Sequence, residues 1–124
     1  MKSRIQERRS RRSSNRAVAL NYQLEYARIK GRLEAFVLSD DAGLVVAYAG
    51  DRAVCEELGA MAPLMRRSPF AMPMPPLLLG ADVAVRPITI LGQPLFLSAA
   101  GGGVARDLVL ADSARGVERI LSTN

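Results

Sequence analysis

The sequence predicts an α+β domain, and three observations carry that expectation. Two pairs of short apolar segments are each joined by a tight, glycine-containing bend, which is the pattern of β-hairpins. Segments with apolar residues at helical spacing stand before, between and after those pairs. No run of 18 or more apolar residues occurs anywhere in the 124 residues, so no membrane span is expected.

Residues 1–16, MKSRIQERRSRRSSNR, hold seven basic groups and one acidic group, with Ile5 as their one branched aliphatic. Dense like charge with nothing to bury predicts a disordered basic tail. Ser14 or Asn15 is placed to cap the helix that follows. From Arg16, Leu20, Leu24 and Ala27 and then Tyr22, Tyr26, Ile29 and Leu33 form two adjoining stripes, read together as one broad apolar face. Gly31 is expected to end this helix in the left-handed conformation.

Residues 33–39 and 44–49 read as strands. Neither alternates cleanly, so both are expected to be covered on two faces. Between them, Asp40-Asp41-Ala42-Gly43 suits a type I turn closed by glycine at positive φ, with an Asp side chain accepting backbone N–H bonds. A metal or acid–base role for Asp40 and Asp41 needs partners that the neighbouring sequence does not supply.

Asp51 is read as the N-cap of a second helix reaching about Met65, with Val54, Leu58, Met61 and Met65 on one stripe. Pro63 removes a backbone donor inside it, which predicts a kink or an early end. Cys55 lies beside the stripe and reads as a small packed residue, because no histidine or nearby lysine is present to activate its thiol. The segment RRSPFAMPMPPLLLG carries four prolines, Pro69, Pro73, Pro75 and Pro76, and predicts an extended crossing. Residues 83–90 and 95–99 form the second hairpin, turned at Leu91-Gly92-Gln93, with Pro87 pointing to an edge position or a bulge. Gly101-Gly102-Gly103 matches no phosphate-binding spacing and reads as a flexible connector. A last helix is expected over 104–121, with Leu110, Ala114, Val117 and Leu121 on one side.

Residue types that are missing narrow the chemistry. There is no histidine and only one cysteine, which removes the usual catalytic triads, intrachain disulfides and multi-cysteine zinc sites. No catalytic, cofactor or metal residue is assigned, and no enzyme is expected. The net charge of +5 is a property of the first sixteen residues, which sum to +6, while residues 17–124 sum to −1. A near-neutral domain argues against sequence-specific nucleic-acid reading by the folded part.

The pieces GRLEAFVLSDDAGLVVA, CEELGAMAPLM, ITILGQPLFLSAAG and ADSARGVERIL, in that order, resemble the roadblock/dynein-light-chain domain family, as found in small single-domain bacterial members. The resemblance covers roughly residues 20–121. It implies an α-β-β-α-β-β(-β)-α sandwich, with one antiparallel sheet covered by a central helix on one face and two terminal helices on the other. It also implies a homodimer, or a heterodimer with a paralogue, formed through sheet edges and central helices. By the same resemblance the partner is a Ras-like small GTPase or a related complex, met by the polar flank Arg52, Glu56 and Glu57 of the second helix. The family's third strand falls where this chain has Met72-Pro73-Met74-Pro75-Pro76, so that strand is expected to shrink to about 76–79 or to be lost.

The leading expectation is therefore a non-enzymatic, cytoplasmic adaptor, with a basic tail at 1–16 and a single domain at 17–124. The alternative is nucleic-acid or anionic-surface binding through the tail, with Arg8, Arg9, Arg11 and Arg12 on phosphates. A small-molecule sensor is a third class, but the apolar strands show no convergent polar set.

Overall fold

The computed structural model describes residues 4–67, 82–103 and 106–122, with side chains described from Asn15 onward apart from that of Arg66. Helix α1 spans Arg4–Gly31, followed by β1 (Leu33–Asp40) and β2 (Val45–Gly50). Helix α2 spans Arg52–Arg67; β3 (Val83–Ile90), β4 (Gln93–Gly101) and α3 (Arg106–Ser122) complete the order. The strands pair antiparallel in the spatial order β2-β1-β4-β3.

Helices α1 and α3 cover one face of the sheet. Leu20, Leu24 and Ala27 from α1 meet Leu110, Ala114 and Val117 from α3 over Phe36, Leu38, Leu97 and Ala99. Helix α2 covers the other face, where Cys55, Leu58 and Met61 pack with Ala35, Val37 and Ala100. Strand β1 is buried on both faces, as its unbroken apolar run requires. Each fully buried Leu or Phe contributes about 1.5–3 kcal/mol. The sheet residues beneath α2 are small, so that layer depends on close approach more than on bulk.

Three glycines set those approaches. A Cβ at Gly59 would lie 3.0 Å from Val45 and 3.3 Å from Val37, so α2 rests directly on β1 and β2. A Cβ at Gly43 would meet the Ala60 backbone at 3.0 Å, and φ there is +84°. The first hairpin turn is thereby pressed against α2. Gly116 brings α3 against the end of the Gln23 side chain on α1.

Several expectations change. Helix α1 begins at Arg4, so residues 4–15 are helical where a disordered tail was expected, and Ser14 and Asn15 lie inside the helix. No glycine or proline interrupts residues 4–30, and arginine, glutamine and glutamate are good helix formers. The helix ends at Gly31 as expected, but the left-handed residue is Arg32, at φ 54°. Gly31 instead serves close packing, since a Cβ there would lie 3.0 Å from Val109. Helix α2 runs through Pro63 to Arg67, past the early end that the proline predicts.

The second hairpin turns on two residues, Leu91 and Gly92, both at positive φ, a geometry that matches the twist of paired strands. Gly102 is tightly seated rather than slack: a Cβ would come within 2.3 Å of Leu33. Pro87 is tolerated in β3 because, among the described residues, that strand pairs on one side only, with β4. The Pro-rich crossing and the expected strand near 76–79 lie outside the described residues. The described sheet therefore has four strands where the resemblance implies five.

Candidate interaction surface

The acidic pair at the first turn is structural. One oxygen of Asp40 accepts the N–H groups of Ala42 and Leu44, both at 2.9 Å. Gly43 donates to the Asp40 carbonyl at 3.0 Å, completing the type I turn that the sequence predicts. Asp41 points away and pairs with Arg67 at 3.4 Å, tying the turn to the end of α2. Among the described residues no cluster of three His, Cys, Asp or Glu is placed to hold a metal.

Cys55 is fully buried and donates weakly to the Ala49 carbonyl at 3.4 Å. Burial pushes its thiol up to about 11, away from the thiolate form that reactivity needs. The packed reading of this residue agrees with the structure. Asp51 caps α2 as expected, accepting the Val54 N–H at 3.0 Å.

The sequence groups Arg52, Glu56 and Glu57 on one flank of α2, and the structure divides them. Arg52 and Glu56 lie one turn apart and form an exposed ion pair at 3.0 Å. Glu57 lies about 100° further round the helix. It is half-buried, and its Oε2 has no hydrogen-bond partner among the described residues. Next to α2, the edge strand β2 exposes Val46 and Tyr48. Tyr48 pairs in register with Val37 and so shares its face, the α2 side, while Val46 falls at the bulge between the Ala47 and Val45 pairings. The two-sided cover expected for β2 is thus incomplete. Arg8, Arg9, Arg11 and Arg12 all fall within α1, and their side chains lie outside the described ones.

A surface that the sequence reading missed runs along α1. Tyr22, Tyr26 and Ile29, assigned to the packed face, are exposed, Tyr22 by 75% and Ile29 by 64%, and Val18 joins them. The signal was available in the spacing. Leu20, Leu24 and Ala27 fall on one side of a helix, whereas Val18, Tyr22 and Ile29 fall opposite, at about 100° per residue. A single apolar face cannot wrap that far around a surface helix. Glu25 lies in the outer line and is held on both oxygens by Arg28, at 2.5 and 3.2 Å. That hydrogen bonding keeps the Glu25 carboxyl below its ordinary value. Lys30 lies 5.8 Å over the Tyr26 ring. No helix among the described residues is long and apolar enough to cross a membrane.

A four-stranded antiparallel sheet, one helix on one face and the first and last helices on the other, defines a roadblock-type fold. Among solved structures, the chain is similar to MglB of Myxococcus xanthus, with a TM-score of 0.50 and 11% identity over 83% of this chain and 87% of that one. No family model and no curated protein matches the sequence. The likeness lies in the fold.

Proposed function

We propose that this protein is a non-enzymatic, dimeric adaptor that regulates or scaffolds a Ras-like small GTPase in the cytoplasm. The supporting observation is its layer arrangement, shared with MglB, a roadblock-fold GTPase regulator. In this reading the chain acts through surfaces, and α2 with its neighbouring edge strand is the docking element. Arg52 and Glu56 offer a charged rail on α2, beside apolar Val46 and Tyr48 on β2. Glu57 stands apart from that rail, half-buried, with its Oε2 shielded from solvent.

The test is affinity capture of the full chain from lysate in the presence of GTP or GDP, read by mass spectrometry. Light scattering after size exclusion is run alongside. A small GTPase enriched in one nucleotide state, together with a dimer mass, is the expected result. Failure to enrich any GTPase in either state overturns the partner assignment, and a monomer at micromolar concentration overturns the dimer.

A further inference from the structure

Helix α1 is 28 residues long, against 16 and 17 for α2 and α3. At 1.5 Å per residue it measures about 42 Å. Its inner side is committed to the core through Leu20, Leu24 and Ala27. Its outer side carries Val18, Tyr22 and Ile29, with Tyr26 at the margin, all exposed. The Glu25–Arg28 pair within that line is internally neutralised. Residues 1–16, most of them in the same helix, bring seven basic groups, one acidic group and no aromatic ring. Helical spacing carries the outer line upstream through Asn15 to positions 11, 8 and 4, all arginine.

We propose that the outer side of α1 docks the protein on an anionic phospholipid surface. Tyr22, Ile29 and Val18 enter the boundary between headgroups and acyl chains, and the arginines of the N-terminal half meet lipid phosphates. Charge selects this occupant. A second copy of the chain would bring two segments of +6 together. Duplex nucleic acid would satisfy the arginines but leave the tyrosine and isoleucine line facing water. An anionic bilayer satisfies both halves, since tyrosine favours the headgroup level and basic side chains are drawn to the negative surface. Basic residues spread along successive turns match a continuous field of phosphates better than a discrete set of carboxylates. The mode is lying on the membrane, which requires two signals, apolar and electrostatic, acting together. It is independent of the GTPase reading.

The experiment is flotation of the full chain with vesicles of phosphatidylcholine alone and of phosphatidylcholine with phosphatidylserine, at physiological salt. Flotation with the anionic vesicles only is expected, weakening as salt rises. R8E/R11E changes the charge by four, and at about fivefold per charge near the surface, partitioning falls by at least about a hundredfold. Y22S/I29S leaves every charge in place and lowers partitioning by about tenfold, through lost apolar contact. Both side chains are exposed, so the melting temperature of Y22S/I29S should match the parent. The proposal is overturned if the parent does not float with anionic vesicles, or if Y22S/I29S floats as well as the parent. Capture by polyglutamate or duplex DNA that matches vesicle binding and ignores Y22S/I29S also overturns it, assigning the helix to an acidic protein or to nucleic acid.

Discussion

Two glycines in helix interiors are expected to answer the same substitution with opposite signs. Replacing Gly59 by alanine relieves the entropic cost of glycine in a helix, a gain of about 1 kcal/mol. Against that gain, the new methyl group would sit 3.0 Å from Val45 Cγ2, 3.3 Å from Val37 Cγ1 and 3.4 Å from Ser39 Cβ. Those atoms belong to two paired strands, and Val37 and Ser39 are fully buried, so they cannot retreat together. Overpacking of this kind costs about 1–3 kcal/mol. The net loss for Gly59→Ala is about 1 kcal/mol, or roughly 4 °C in melting temperature for a domain of this size. Gly116→Ala meets only the far end of the Gln23 side chain, with Oε1 at 2.5 Å. Turning that side chain costs about 0.5 kcal/mol. Gly116→Ala therefore leaves stability unchanged or raises it by up to about 0.5 kcal/mol. Thermal and urea melts followed by far-UV circular dichroism measure both. If Gly59→Ala melts above the parent, or the two variants shift together, α2 does not rest on the sheet as described.

Other outcomes can be measured on the same footing. Gly43→Ala combines positive φ with an Ala60 backbone contact at 3.0 Å, so urea midpoints should report a loss of about 2 kcal/mol. Leu91→Asn creates an Asn-Gly pair at a turn where both residues have positive φ, and the lost side chain is 78% exposed. Thermal melts should show a gain of about 0.5–1 kcal/mol. The Cys55 thiol binds its proton more tightly folded than unfolded, so its contribution is complete below about pH 9 and is lost as pH rises toward 11. Melts at pH 8 and pH 10 should therefore differ more for the parent than for Cys55→Ala. A thiol reagent at pH 8 should label Cys55 only after unfolding.

Much of the fold was legible because it depends on local patterns. The Asp40 turn, the Asp51 cap and the paired apolar strands are written in residues a few positions apart, and they appear as read. Long-range facts were harder to see. Gly59 looks like a weak point in a helix until its packed neighbours Val45 and Val37 are known. Arg32 takes the left-handed position beside a glycine that is needed for packing against Val109, far along the chain. Pro63 sits within α2 without ending it, although intrinsic preference favours a stop. On the surfaces, the Arg52–Glu56 pair follows from one-turn spacing, while Glu57 was misplaced by treating adjacent residues as one flank. The exposed line on α1 emerges only when each residue is placed at its 100° step, because apolar residues there fall on both sides of the helix.

The two hairpin bends differ in their freedom, and this governs where the chain tolerates surgery. The Asp40 bend is held against Ala60 and pinned by its own carboxylate. The Leu91–Gly92 bend has open space around Gly92. An epitope or fluorescent reporter spliced in at 91–92 should leave folding intact, whereas the same insert at 41–42 would pry a helix from its seat.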